Sequence, residues 1–257
     1  MLIDTHTHMY SEQFDADRTE MIQRAIRNGV TRFYLPNIDL ASVAGMHDLE
    51  KSFPDNCFAM MGLHPCSVAA DWETVLATMK SYLEKRAYVA IGEIGIDLYW
   101  DKSTLAIQQA AFRMQVQWAK AMNLPIVIHA RDSFPEIYAI LDEENDARLK
   151  GIFHCFTGNV ADVEKIDAYG GFLFGIGGVV TYKTSELPAV IPAIPRDKLV
   201  LETDAPYLPP VPYRGKRNES SYLVHTAEKV AEILGLPLSE LAALTTENAT
   251  RLFHPEK

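Results

Sequence analysis

The chain has 257 residues, 48% of them apolar and 23% charged, which is enough apolar material for a substantial core. Its formal charge is 24 basic minus 34 acidic, or −10, which excludes broad wrapping of nucleic acid and leaves local phosphate binding through a small basic patch or bound cations. Three cysteines (Cys57, Cys66 and Cys155) without a CxxC pair exclude a disulfide framework. With no signal-peptide pattern and no apolar run of membrane-spanning length, the expectation is a cytoplasmic protein without membrane contact.

In chain order, short β-rich runs alternate with longer amphipathic stretches. Strands are predicted at 2–6 (LIDTH), 32–37 (RFYLPN), 57–64 (CFAMMGLH), 88–95 (YVAIGEIG), 125–130 (PIVIHA), 151–156 (GIFHCF), 171–177 (GFLFGIG) and 198–204 (KLVLETD). Helical patterns lie between them, at 15–29 with Gly29 as the stop and at 104–122, where Phe112, Met114, Val116 and Trp118 read as core. Two further helices, about 219–235 and 238–252, close the chain, with Pro237 opening the second. Eight strands, each followed by a helix candidate, imply parallel strands joined by crossover helices and predict an α/β fold, a single-domain (β/α)8 TIM-type barrel over 1–257. An open doubly wound sheet would carry a glycine-rich turn after its first strand, and THTHMYSEQF there contains no glycine.

In such a barrel, chemistry gathers at the C-terminal ends of the strands. The opening run IDTHTH spaces Asp4, His6 and His8 two apart, on one face of a strand. The other exits supply Asn37, Asp39, His64, Glu93, His129, His154 and Asp204, while the seventh ends in Gly175, Gly177 and Gly178. Five of the eight histidines stand at exits; His47, His225 and His254 do not. One such histidine could simply cap a strand, but five with two carboxylates on one rim are costly to bury unless a metal satisfies them. Donors without thiolate suit Zn²⁺, Mn²⁺, Fe²⁺ or Ni²⁺, and Mg²⁺ if carboxylates dominate. Four histidines and two carboxylates exceed one tetrahedral site and predict two divalent ions bridged by Glu93. Lys150 and Lys198 fall at strand starts, the wrong rim for a bridging lysine.

The motifs DTHTH (4–8), GLHP (62–65), GEIGID (92–97), PIVIHAR (125–131), HCFTG (154–158), LETDAP (201–206), RGKRNE (214–219) and NATRLF (248–253) form an ordered series that resembles the TatD family of metal-dependent hydrolases, within the amidohydrolase-like superfamily. The resemblance implies a first metal site of His6, His8, Glu93 and Asp204, and a second of Glu93, His129 and His154. It places His64, from the GxHP motif, on the substrate side. It implies a deoxyribonuclease, with 3′-to-5′ exonuclease action on single strands as a family activity. Ser220 departs from the proline that often follows RNE.

Around these positions, Asp204 is expected both to ligate and to accept a proton from the attacking water. Glu202 and Asp4, each two residues before a ligand, are expected to support one from behind. Asp97 should hold its loop through backbone hydrogen bonds. The cluster RGKR supplies Arg214, Lys216 and Arg217 as phosphate contacts, joined by Arg131 from the face of His129. Tyr99 and Trp100 either stack bases or pack the loop on the barrel. Cys155 alternates away from His154 into the helix layer. The leading expectation is a monomeric DNA phosphodiesterase. The alternatives are a metal-dependent amide or ester hydrolase with a non-nucleic-acid or aminoacyl substrate, and a non-catalytic protein stabilised by its metals.

Overall fold

A computed structural model describes residues 1–253; His254 lies outside them. Among the described residues, the strands are β1 (Leu2–Asp4), β2 (Val30–Leu35), β3 (Cys57–Ala59), β4 (Ile91–Asp97), β5 (Ile126–Arg131), β6 (Gly151–Phe153), β7 (Phe172–Ile176) and β8 (Leu199–Leu201). The helices are α1 (Arg18–Arg27), α2 (Ser42–Ser52), α3 (Trp72–Lys85), α4 (Leu105–Met122), α5 (Phe134–Glu144), α6 (Val160–Ala168), α7 (Leu187–Val190), α8 (Leu223–Leu234) and α9 (Leu238–Phe253). Strands β1 to β3 form one parallel ladder and β4 to β8 another. Two seams close these into one barrel. Between β3 and β4, the Met61 N–H donates to the Ala90 carbonyl (3.2 Å) and the Gly92 N–H to the Met61 carbonyl (3.0 Å). Between β8 and β1, the Thr5 N–H donates to the Leu201 carbonyl (3.1 Å) and the Asp204 N–H to the His6 carbonyl (2.9 Å). The fold is the expected (β/α)8 barrel.

Period-two alternation builds two apolar layers. One residue in or beside each strand (Ile3, Tyr34, Met60, Ala90, Val127, Ile152, Leu173 and Val200) packs an inner cluster with Ala249, Leu252 and Phe253 of α9. Phe253 stacks on Tyr34 at 3.9 Å, so the last helix plugs the end of the barrel opposite the strand exits. Their neighbours Leu2, Phe33, Ile126, Ile128, Phe153 and Leu199 face the helices, where Phe112 and Val116 of α4 are fully buried. Burying each such side chain contributes about 1.5–3 kcal/mol before chain entropy is subtracted.

Two expectations change. The helix predicted at 15–29 begins only at Arg18. The Arg18 guanidinium donates to the carbonyls of Met9, Tyr10 and Ser11 at 2.9–3.1 Å, tying the preceding residues into a loop with one 3-10 turn. The strands predicted to run to His6, His64, Phe156 and Asp204 stop at Asp4, Ala59, Phe153 and Leu201. Beyond those points the backbone stays tied to its neighbours by scattered bonds, such as His154 N–H to the Ile128 carbonyl (3.0 Å) and Glu202 N–H to the Ile176 carbonyl (3.1 Å), while polar side chains meet at the mouth of the barrel.

Candidate metal centre

Local backbone choices aim the polar residues inward. Cys155 (φ 45°) and Asp204 (φ 56°), just past the exits of β6 and β8, lie in the left-handed region, a conformation costing on the order of 1–3 kcal/mol for a residue with a side chain. Gly95 in β4 has φ 145°, and a Cβ there would stand 2.0 Å from the His129 carbonyl oxygen, so only glycine lets β4 and β5 meet at that point. The seventh strand carries glycine for another reason. A Cβ on Gly175 would lie 2.3 Å from Glu202 Oε2, so the strand gives up a polar side chain to make room for that carboxylate.

Glu93, at the centre of the mouth, divides its two oxygens between two groups. Its Oε2 faces His6 Nε2 (3.1 Å) and His8 Nε2 (3.7 Å). The same two nitrogens lie 3.3 Å apart and 3.6 and 3.4 Å from Asp204 Oδ1. Its Oε1 faces His129 Nδ1 (2.9 Å), His154 Nε2 (3.2 Å) and His64 Nε2 (3.3 Å). All five exit histidines and both rim carboxylates therefore meet, and the donor atoms of His6, His8 and Glu93, like those of His64, Glu93 and His129, lie within 4.8 Å of one another.

What each imidazole touches behind it decides which nitrogen offers a lone pair. The Tyr10 hydroxyl donates to the Pro36 carbonyl (2.5 Å), so it accepts from His8 Nδ1–H (3.1 Å) and leaves His8 Nε2 free. His129 Nε2 meets Asp97 Oδ2 at 2.8 Å, which keeps the proton there and frees Nδ1. His154 Nδ1 meets Glu202 Oε1 at 3.0 Å, which frees Nε2. His64 is reversed. Its Nδ1 accepts from the Cys66 backbone N–H (3.0 Å), so the proton sits on Nε2, pointing at Glu93. His64 is thus a hydrogen-bond donor beside the other four imidazoles rather than a fifth lone pair among them. His6 Nδ1 is buried without a partner among the described residues.

The electrostatics follow from this crowding. Burial opposes ionisation of Glu93, but His64, His154, His6 and His129 hold its carboxyl well below the usual range. Burial likewise opposes the lowering of Asp204 by His8 and His154, and that of Asp97, which His129 brings to about 2. Glu202 and Glu93 raise His154 well above an ordinary histidine against its burial. Burial and the neighbouring His154 lower His6. Among the described residues no lysine or arginine pairs with Glu93, Asp97, Glu202 or Asp204, so these four carboxylates meet only imidazoles and backbone N–H groups. A donor set of imidazoles and carboxylates without a lysine or arginine fits divalent metal ions, whose binding would displace the protons that the carboxylates hold on the imidazoles.

Asp4 takes a different part from the one expected. It does not reach the His6 ring. It accepts from the Thr203 N–H (2.9 Å), the Thr203 hydroxyl (2.6 Å) and the Ser220 hydroxyl (2.7 Å), with the His6 backbone N–H at 3.4 Å. Burial pushes its carboxyl up to about 7 against those bonds. Ser220 thus supplies a donor that a proline could not.

A cavity of about 1070 Å³ opens above the cluster. Arg131 lines it and is the only lysine or arginine among its lining residues. The RGKR cluster does not reach it. Arg217 forms a two-bond pair with Asp17 (2.7 and 2.8 Å) over the Phe14 ring, Arg214 stacks on Tyr182 at 3.7 Å, and Lys216 lies 5.7 Å from the Tyr213 ring. A guanidinium already paired with a carboxylate is a weak candidate for phosphate, which corrects the expectation for Arg217, while Arg214 and Lys216 are exposed outside the lining of the cavity. Cys155 is also corrected: its left-handed backbone breaks the alternation and places it on the cavity wall, where burial raises its thiol to about 12. Asp97 holds its loop as expected, through the N–H groups of Tyr99 (3.0 Å) and Trp100 (3.4 Å). Its second oxygen, on His129, and the Tyr10 hydroxyl were missed. Tyr10 continues the period of two from His6 and His8, and Asp97 lies two pleats beyond Glu93.

The family model described as TatD related DNase matches residues 3–254. Over 254 residues the chain is 42% identical to the uncharacterized metal-dependent hydrolase YabD of Bacillus subtilis (strain 168), covering 98% of this chain and 99% of the relative. It is 34% identical over 259 residues to the 3′-5′ ssDNA/RNA exonuclease TatD of Pectobacterium parmentieri (strain WPP163), with 98% and 99% covered. The crystal structure of YJJV, a TatD homologue from Escherichia coli K12, superposes with a TM-score of 0.93 at 30% identity, covering 99% of this chain and 98% of that one.

Proposed function

The chain belongs to the TatD-related DNase family of metal-dependent hydrolases acting on ester bonds, and from that premise we propose that it hydrolyses DNA phosphodiesters, taking nucleotides from the 3′ ends of single strands. The observation that carries this reading is the division of Glu93, one oxygen toward His6, His8 and Asp204, the other toward His129 and His154. A carboxylate that offers one oxygen to each of two donor groups suits a site that would hold two divalent ions. His6, His8, Glu93 and Asp204 would hold one ion, and Glu93, His129 and His154 the other; their chemistry admits Zn²⁺, Mn²⁺, Fe²⁺, Ni²⁺ or Mg²⁺. When bound, such ions polarise a phosphate oxygen and bring the pKa of an attached water toward neutrality. The similarity to a relative named as a 3′-5′ ssDNA/RNA exonuclease supports the strand type and polarity.

The chain's own residues do the rest. Asp204, whose carboxyl stays ionised, accepts the proton of the attacking water. Glu202 and Asp97 fix the rings of His154 and His129 by holding their outer N–H groups. His64, on the cavity wall, points its Nε2 proton at Glu93 Oε1 and steadies that carboxylate on the substrate side.

The test is metal-reconstituted protein on end-labelled single- and double-stranded oligonucleotides, with His129→Ala as control. Single strands shortened from the 3′ end by the wild type alone support the reading. Intact strands under every metal overturn it. The withdrawal of RGKR from the cavity favours a second reading, a carboxylic ester or amide hydrolase, and turnover of such substrates beside intact oligonucleotides would establish it.

A further inference from the structure

Two side chains on the cavity wall take no part in the chemistry above. Trp100 lines the cavity and is 72% exposed, unusual for the largest apolar side chain. Arg131, beside it, forms no ion pair among the described residues. Neither is loose. The Arg131 guanidinium lies 3.7 Å from the ring centroid of Tyr99 and 5.6 Å from that of Trp100, and Tyr99 meets Trp100 edge to face at 4.9 Å and 89°. Asp97 pins both aromatic residues by their backbone N–H groups while holding His129, so the platform and the catalytic cluster share one anchor.

We propose that Trp100 and Arg131 form a subsite for one unpaired nucleotide next to the scissile bond, the base stacked on Trp100 and its non-scissile phosphate on Arg131. This rests on the DNA reading above and adds what selects the strand. An open indole face accepts any base, because every base has a π-face, but in a duplex that face is covered by its neighbours. In a cavity whose other charged walls include Glu12, Asp39 and Asp204, the single arginine sets where a polyanion can enter. The subsite therefore makes the protein select single strands with little regard to sequence.

The test compares wild type, Trp100→Ala, Trp100→Phe and Arg131→Met on three substrates: a single-stranded oligonucleotide, its blunt duplex, and methyl 4-nitrophenyl phosphate, which carries no base. Trp100→Ala should raise KM for the single strand about tenfold more than for methyl 4-nitrophenyl phosphate, and cut the single-strand preference by the same factor. Trp100→Phe should recover most of that loss. Arg131→Met should reduce the magnitude of the slope of log Kd against log salt for a labelled oligonucleotide by about 0.7. Equal losses on all three substrates, or no loss with Trp100→Ala, overturn the subsite while the DNA reading stands. Wild-type hydrolysis of methyl 4-nitrophenyl phosphate with no action on any oligonucleotide overturns the DNA reading and the subsite together.

Discussion

The barrel mouth and the RGKR loop are both rich in charge and both follow strand exits, yet they handle it in opposite ways. In the mouth, four carboxylates face imidazoles and no lysine or arginine, so negative charge is left for something that arrives from solution. In the loop, Arg217 is matched by Asp17 through two hydrogen bonds. Functional charge is charge the fold leaves unmatched, and placement near a rim does not by itself make a binding group.

The largest effect expected from breaking this contrast is at Glu93. Glu93→Gln removes the shared charge, and the protein should lose both bound metal, measured by elemental analysis, and measurable turnover. Asp204→Asn should lower kcat by about 10²–10⁴; a variant that kept full metal content and full activity would remove Asp204 as proton acceptor. Next come the groups behind the ligands. Asp97→Asn, Glu202→Gln and Tyr10→Phe should each cost about 10–100-fold in metal affinity or activity, read by competition with a chelator and by kcat. The smallest effect belongs to the loop. Arg217→Met should leave KM for the substrate unchanged and cost at most ~1 kcal/mol of stability, since the pair is partly exposed.

That last pair also has a pH signature. Arg217, with Arg24, brings the Asp17 carboxyl from 3.8 to about 2 in the folded chain. Its stabilisation is complete above the ordinary carboxylate range and disappears as the pH falls through about 2. The Tm gap between wild type and Arg217→Met should be constant near neutrality and close between about pH 4 and 2.

The eight strands and the exit histidines were legible because alternation and chemical type are local properties. Where a strand stops was not, since the left-handed turns at Cys155 and Asp204 leave no signature in residues that are not glycine. The partners of the polar groups were also hidden. Asp17 and Arg217 stand 200 positions apart, and Asp4 accepts from Thr203 and Ser220 instead of from the ring two residues along. An arginine beside a predicted site reads the same whether its partner is a phosphate or an aspartate that only the fold brings near.

Asp4 and Ser220 are 216 positions apart, and the donors around Glu93 run from His6 to Asp204. Such contacts close large loops, so they form late in folding. His6 and His8 precede their partner carboxylate, Asp204, by nearly two hundred positions along the chain. A chain cut before position 204 would carry the histidines of the proposed centre without that carboxylate.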